Sequence, residues 1–155
     1  MFRGLMISAA AVAALTLALP AFAQEDQFGT AQEARTMLDR AVAAVKADKL
    51  VALAKFNRGA DGFKDRDLYP FCFNLSDGRF VAAIEQLIGT DTRALKDPTG
   101  KVFGPELYGA AQKPEGQITE VSYMFPRPGA DRTPVAKVTF ITKAGDLGCG
   151  VGYYK

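Results

Sequence analysis

Hydrophobic and polar positions recur along the chain with two different periods, and the change falls near Leu68. Ala34, Met37, Leu38, Ala41, Val42 and Val45 return every three or four positions, with Arg35, Asp39, Arg40 and Lys46 on the other side. A single apolar stripe of 3.6-residue period predicts an amphipathic helix. Thr30-Ala31-Gln32-Glu33 gives that helix a start, because the threonine hydroxyl can accept from the third amide while the glutamate reaches back. Asp48 can cap a second, shorter helix carrying Leu50, Leu53 and Phe56. Residues 57–62 then read as a loop.

Beyond Leu68 the signals are those of strands. Residues 68–75 are rich in aromatics and end at Ser76-Asp77-Gly78, and residues 79–84 read as the returning strand of a hairpin. Pro70 conflicts with a regular ladder because it donates no hydrogen bond, which implies a bulge or a local edge. Residues 87–116 are mixed: Asp91-Thr92 and Gly104-Pro105 can start short helices, with a turn at Pro98-Thr99-Gly100 between them. Residues 118–125, 135–143 and 147–154 complete five strands. No repeat and no internal linker interrupts this order. It predicts an α+β domain, a central antiparallel five-stranded sheet with a long N-terminal helix packed on one face. In the last strand Gly148, Gly150 and Gly152 fall on one face, and close packing of a helix on that bare strip is favoured over contact with a ligand.

The first residues carry a different message. Arg3 precedes an uncharged apolar run, Pro20 breaks it, and Ala21-Phe22-Ala23 offers small residues where a signal peptidase needs them. Residues 1–23 are therefore expected to be a cleaved signal peptide and residues 24–155 one exported domain, most simply periplasmic. The alternative is an uncleaved membrane anchor. With cleavage, no stable membrane insertion is expected. Export makes Cys72 and Cys149 a predicted disulfide, since paired thiols suit an oxidising compartment. The pairing requires the first and last strands to be neighbours, with the two residues nearly opposite.

Charge narrows the function. The chain has 19 Lys+Arg against 17 Asp+Glu, a formal charge of +2, and no basic run, so nucleic-acid binding is not expected. There is no His, which removes His-based triads and His metal sites. Asp61, Asp65 and Asp67 lack a calcium-loop pattern and read as a solvated loop. No phosphate-binding loop or nucleophile elbow is present, so neither an enzyme nor a bound cofactor is expected. Lys137 is the sharpest clue. It stands in mid-strand among Val135, Ala136, Val138 and Phe140. Pointing inward, it needs an anion or an internal acid; pointing outward, it is an ordinary solvated lysine. Tyr69, Phe71 and Phe73 share one strand face, and Tyr123 and Phe125 share another with Val121. Such stripes serve as core or as the apolar walls of a pocket.

A set of short motifs occurs in the order found in single Cache domains: Asp67-Leu68-Tyr69…Phe71-Cys72-Phe73, Asp77-Gly78, Leu87-Ile88-Gly89-Thr90-Asp91 and Leu95-Lys96-Asp97…Gly100-Lys101. Tyr123-Met124-Phe125-Pro126…Pro128, Lys137-Val138-Thr139-Phe140 and Gly150-Val151-Gly152-Tyr153-Tyr154 continue it. Over nearly all of residues 24–155 the chain resembles this family of extracytoplasmic, PAS-like sensor modules. The resemblance implies a small-molecule site, often for short carboxylates, on the sheet face opposite the long helix. It marks Tyr69, Phe71, Tyr123, Phe125 and Lys137 as pocket residues and matches Asp97 to an Asp of the family, although Asp97 before Pro98 is also a turn former. With no later segment apolar enough to cross a membrane, sensing is expected to require delivery to a partner such as a membrane signalling protein, the alternative being a domain that only buffers its ligand. The rival reading is an envelope interaction module whose pocket is filled by its own side chains. Two departures stand out. Ala82-Ala83-Ile84 replaces a His-containing motif of many members, and Lys137-Val138-Thr139-Phe140 lacks one hydroxyl of the Lys-x-Ser-Tyr pattern.

Overall fold

The computed structural model describes residues 27–155, so the expected signal peptide lies outside the described residues. Helix α1 spans Ala31–Ala47, and both halves of the Thr30/Glu33 capping box form. Ala34, Met37, Leu38, Ala41 and Val45 make its buried face, as their spacing requires. Asp48 both ends α1 and caps α2 (Lys49–Arg58), where its carboxylate accepts from the Val51 amide. Gly59 closes α2 in the left-handed region, with φ 64°. Of the residues expected to anchor α2, Phe56 is buried, but Leu50 is 76% exposed. Ala52 takes the inner position instead.

Five strands follow: β1 (Pro70–Asn74), β2 (Phe80–Ala82), β3 (Thr119–Pro126), β4 (Pro134–Ala144) and β5 (Leu147–Tyr154). They form one antiparallel sheet in the order β2-β1-β5-β4-β3. Pro70 opens β1 beyond the end of β2, a local edge, and the irregularity in the β1–β2 pairing lies at Cys72/Phe73. The expected α+β architecture is therefore present.

The strand period divides the core into two layers. Cys72, Phe140, Leu147, Cys149 and Val151 face α1 and α2. Phe71, Phe73, Val121, Tyr123 and Ile141 face the other way, against Phe80 of β2 and against Phe103 and Leu107 at the start of helix α3 (Gly104–Ala110). Cys72 and Cys149 stand opposite each other on adjacent strands, Cα atoms 4.2 Å apart, and are joined as a disulfide.

The glycine strip corrects an expectation. Gly148, Gly150 and Gly152 turn away from α1, because Leu147, Cys149 and Val151 occupy that side. A Cβ at Gly148 would stand 2.6 Å from the Phe73 ring and 2.5 Å from Ala111, which caps the end of α3. At Gly150 it would stand 2.6 Å from the Phe71 ring, and at Gly152 2.2 Å from Lys137 Cε. Rings and a lysine stem, rather than the long helix, lie on the bare strip.

Candidate functional site

Lys137, Thr139 and Ile141 alternate along β4 toward the layer opposite α1, and the register sets Lys137 between Tyr123 of β3 and Tyr154 of β5. Its side chain runs inward over Gly152 and is only 2% exposed. The ammonium donates to Tyr69 Oη at 3.2 Å and sits 4.8 Å from the ring centroids of Tyr69 and Tyr154 and 5.0 Å from that of Phe125. Three ring faces offer a cation-π environment. No carboxylate lies within ion-pair distance among the described residues. Asp67, whose charge favours the ammonium, is spent on the Gly29 amide at 2.7 Å and on Arg127 at 3.4 Å.

Burial pushes the pKa of Lys137 below the ordinary lysine value, while Tyr123 and Asp67 pull the other way. Burial also pushes Tyr69 up to about 12 and raises Tyr123 and Tyr154. All three phenols are therefore protonated at neutral pH and cannot serve as counter-ions. Tyr123 shares a 2.8 Å hydrogen bond with Thr139 and stacks on Phe103 at 3.8 Å, and Tyr154 donates to the Pro126 carbonyl. The rings are thus held by partners of their own, whereas the cation lacks an anionic one.

A cavity of about 20 Å³ opens at this ammonium, room for one water-sized group. Tyr69, Phe71, Tyr123, Phe125 and Lys137, named from the sequence, all line it. The inner wall adds Phe80, Phe103 and Leu107, and the half-buried outer wall is Ala83, Ile84 and Leu87. Asp97 is not among the lining residues. Its carboxylate accepts from the Thr99 amide and hydroxyl and from the Lys101 and Met124 amides, closing a turn and tying it to the edge of β3. Those hydrogen bonds, led by the Thr99 hydroxyl, hold its pKa at about 2. The residue does the work of a turn former.

Asp61, Asp65 and Asp67 likewise turn to separate partners, Lys55, Arg66 and Arg127. Of the two departures from the family pattern, Phe140 faces α1, so its missing hydroxyl lies on the side away from the chamber. Ala83 and Ile84 do line the chamber. Sequence reasoning missed Tyr154, whose ring lies 4.8 Å from the ammonium without lining the cavity. The signal was present, because Tyr154 lies on the glycine face of its strand, two positions past Gly152.

No protein-family model and no curated protein matches the chain. Solved structures do. The periplasmic sensor domain of a chemotaxis protein superposes with a TM-score of 0.58 at 24% identity, covering 79% of this chain and 88% of that one. A methyl-accepting chemotaxis protein from Vibrio parahaemolyticus RIMD 2210633 gives 0.61 at 20%, with 79% and 86% covered. A Cache chemosensory domain, described for its carboxylic acid recognition, gives 0.55 at 22% over the same shares. The fold is that of a single Cache domain. In this Cache fold the chamber lies on the sheet face opposite the long helix, the side on which the sequence resemblance implied a site.

Proposed function

We propose that residues 24–155 are an exported, periplasmic sensor-type domain that binds a small organic anion, a short carboxylate, at Lys137, and that residues 1–23 are its signal peptide. The observation that carries this reading is the buried ammonium without an anionic partner among the described residues. Taking such a charge out of water costs several kcal/mol unless an anion compensates. A carboxylate in the chamber supplies that compensation through a charge-assisted hydrogen bond, and the Tyr69 hydroxyl is within reach as a second contact. Phe71, Phe103, Leu107 and Phe125 offer apolar contact to a hydrocarbon tail. Apart from Lys137 the lining is aromatic and aliphatic, with no Ser, Thr, Cys, Asp or Glu to form a nucleophile–base pair, which favours a binding domain over an enzyme. Among the described residues no helix is long and apolar enough to cross a membrane. On this reading the loaded domain hands its signal to a membrane protein.

One observation favours the rival reading of an envelope interaction module. The chamber is small, so a guest larger than a water must displace its half-buried outer wall. Thermal-shift and calorimetric titration of residues 24–155 with short carboxylates and amino acids separates the two. Stabilisation by a carboxylate that is lost in Lys137→Ala supports the sensor. No response across the panel, with an envelope protein copurifying, supports the module.

A further inference from the structure

A second cleft, of about 180 Å³, lies outside the chamber and shares Tyr69, Ile84 and Phe125 with it. The chamber is lined by a single charged group, Lys137; the cleft is lined by two arginines. They differ in how they are engaged. Arg127 is committed to Asp67 at 3.4 Å and stacks on the rings of Phe28 and Tyr154 at 4.0 and 5.0 Å. Arg132 is exposed and has no hydrogen bond or ion pair among the described residues. Its neighbour Asp131 is turned onto the Thr133 amide at 2.9 Å. The charge of Arg132 acts on Tyr69, whose hydroxyl accepts from Lys137 on the chamber side. Tyr69 thus lines both the chamber that holds the ammonium and the cleft that holds the unpaired guanidinium.

We propose that the ligand is an elongated dianion, with one acid group on Lys137 and the second carried past Tyr69 and Ile84 to Arg132. This deepens the carboxylate reading and rests on it. The packed rings of Phe71, Phe80 and Phe103 close the inner end of the chamber, so a chain attached to the bound head must run outward, past the half-buried Ile84. On that route it meets Arg132, whose guanidinium suits a carboxylate bidentately. The other cleft beside Tyr69, about 280 Å³, carries Glu85 together with Arg58 and Lys64, so an anion there also meets its own sign.

The test is calorimetric titration at pH 7 and low salt with matched acids, butyrate against succinate, valerate against glutarate, and onward to eight carbons. The proteins are the unaltered one, Arg132→Gln, Lys137→Met, and Arg58→Gln as control. Expected is at least tenfold tighter binding of one dianion than of its equal-length monoanion, weakening as salt is added. Arg132→Gln should erase that preference and leave the monoanion unchanged, Arg58→Gln should change neither, and Lys137→Met should abolish binding of both. Lys137-dependent binding of monoanions with no dianion preference, or a preference that survives Arg132→Gln, overturns this inference and leaves the carboxylate reading standing. No binding of any acid overturns both.

Discussion

Replacing Lys137 with Met tests the buried charge directly, because methionine keeps most of the stem over Gly152 and removes only the ammonium. Burying that group costs several kcal/mol. Its hydrogen bond to Tyr69 at 3.2 Å returns about 1.5 kcal/mol. The three rings at 4.8–5.0 Å return about 1 kcal/mol each. Replacing buried charged groups with apolar side chains of similar volume often stabilises by about 1–4 kcal/mol, so Lys137→Met should stabilise the ligand-free domain by about 1–3 kcal/mol, raising Tm by roughly 3–10 °C. Urea denaturation at pH 7 should show a higher midpoint with an unchanged slope. The pH dependence has a definite sign. The folded pKa lies below the unfolded value, so the unfolded chain binds the proton more tightly. Stability of the unaltered protein therefore rises as pH climbs from the folded pKa toward 10.5. The advantage of the variant should shrink over that window. A variant less stable at pH 7, or an advantage flat with pH, refutes the account of an uncompensated charge.

Four further outcomes follow from the geometry. Gly152→Ala places a Cβ 2.2 Å from Lys137 Cε and 2.7 Å from Thr139 Oγ1, and should cost about 1–3 kcal/mol in urea melts while removing the carboxylate response in thermal shift. Converting Cys72 and Cys149 to Ala opens a loop of sequence separation 77 and should cost about 4 kcal/mol on the chain-entropy scale, read by urea midpoints; a loss under about 1 kcal/mol counts against a stabilising bridge. Asp97→Asn should leave carboxylate binding at neutral pH unchanged. Because the folded pKa of Asp97 is about 2, its stabilisation is present above the ordinary Asp range and lost as pH falls toward 2, and acid titration of the variant should lack that part of the loss. Thr30→Ala should lower stability by about 1 kcal/mol through loss of the cap on α1, measured by circular dichroism melts.

Local chemistry was the legible part of the chain. Thr30 and Glu33 announced α1 because capping needs only residues three apart, and Asp48 announced α2 for the same reason. Alternation correctly grouped Tyr123 with Phe125 and separated Gly152 from Val151, since a strand's period is a local property. Which way each group faces is not local. It depends on which layer α1 covers, and that is decided by pairing between strands distant in sequence. The glycine strip was therefore grouped correctly and assigned to the wrong neighbour, and Lys137 could be placed inside or outside with equal ease. Leu50 follows the apolar pattern yet stays exposed because α2 is short and packs through Ala52 and Phe56. The Asp67–Arg127 pair, drawn from residues 60 apart, and the cleft at Arg132 had no sequence signature.

The strand order has a consequence for how the domain is made. β5, the last strand in the chain, lies in the middle of the sheet, between β1 and β4. Until it arrives, β1–β2 and β3–β4 are two separate hairpins with no hydrogen bonds between them, and Lys137 lacks both the Tyr154 ring and the bare path over Gly152. A chain emerging from its amino end can complete neither the sheet nor the chamber before Leu147–Tyr154 are free. Assembly thus waits for β5, and a stalled or truncated chain lacking it exposes two further strand edges, those of β1 and β4.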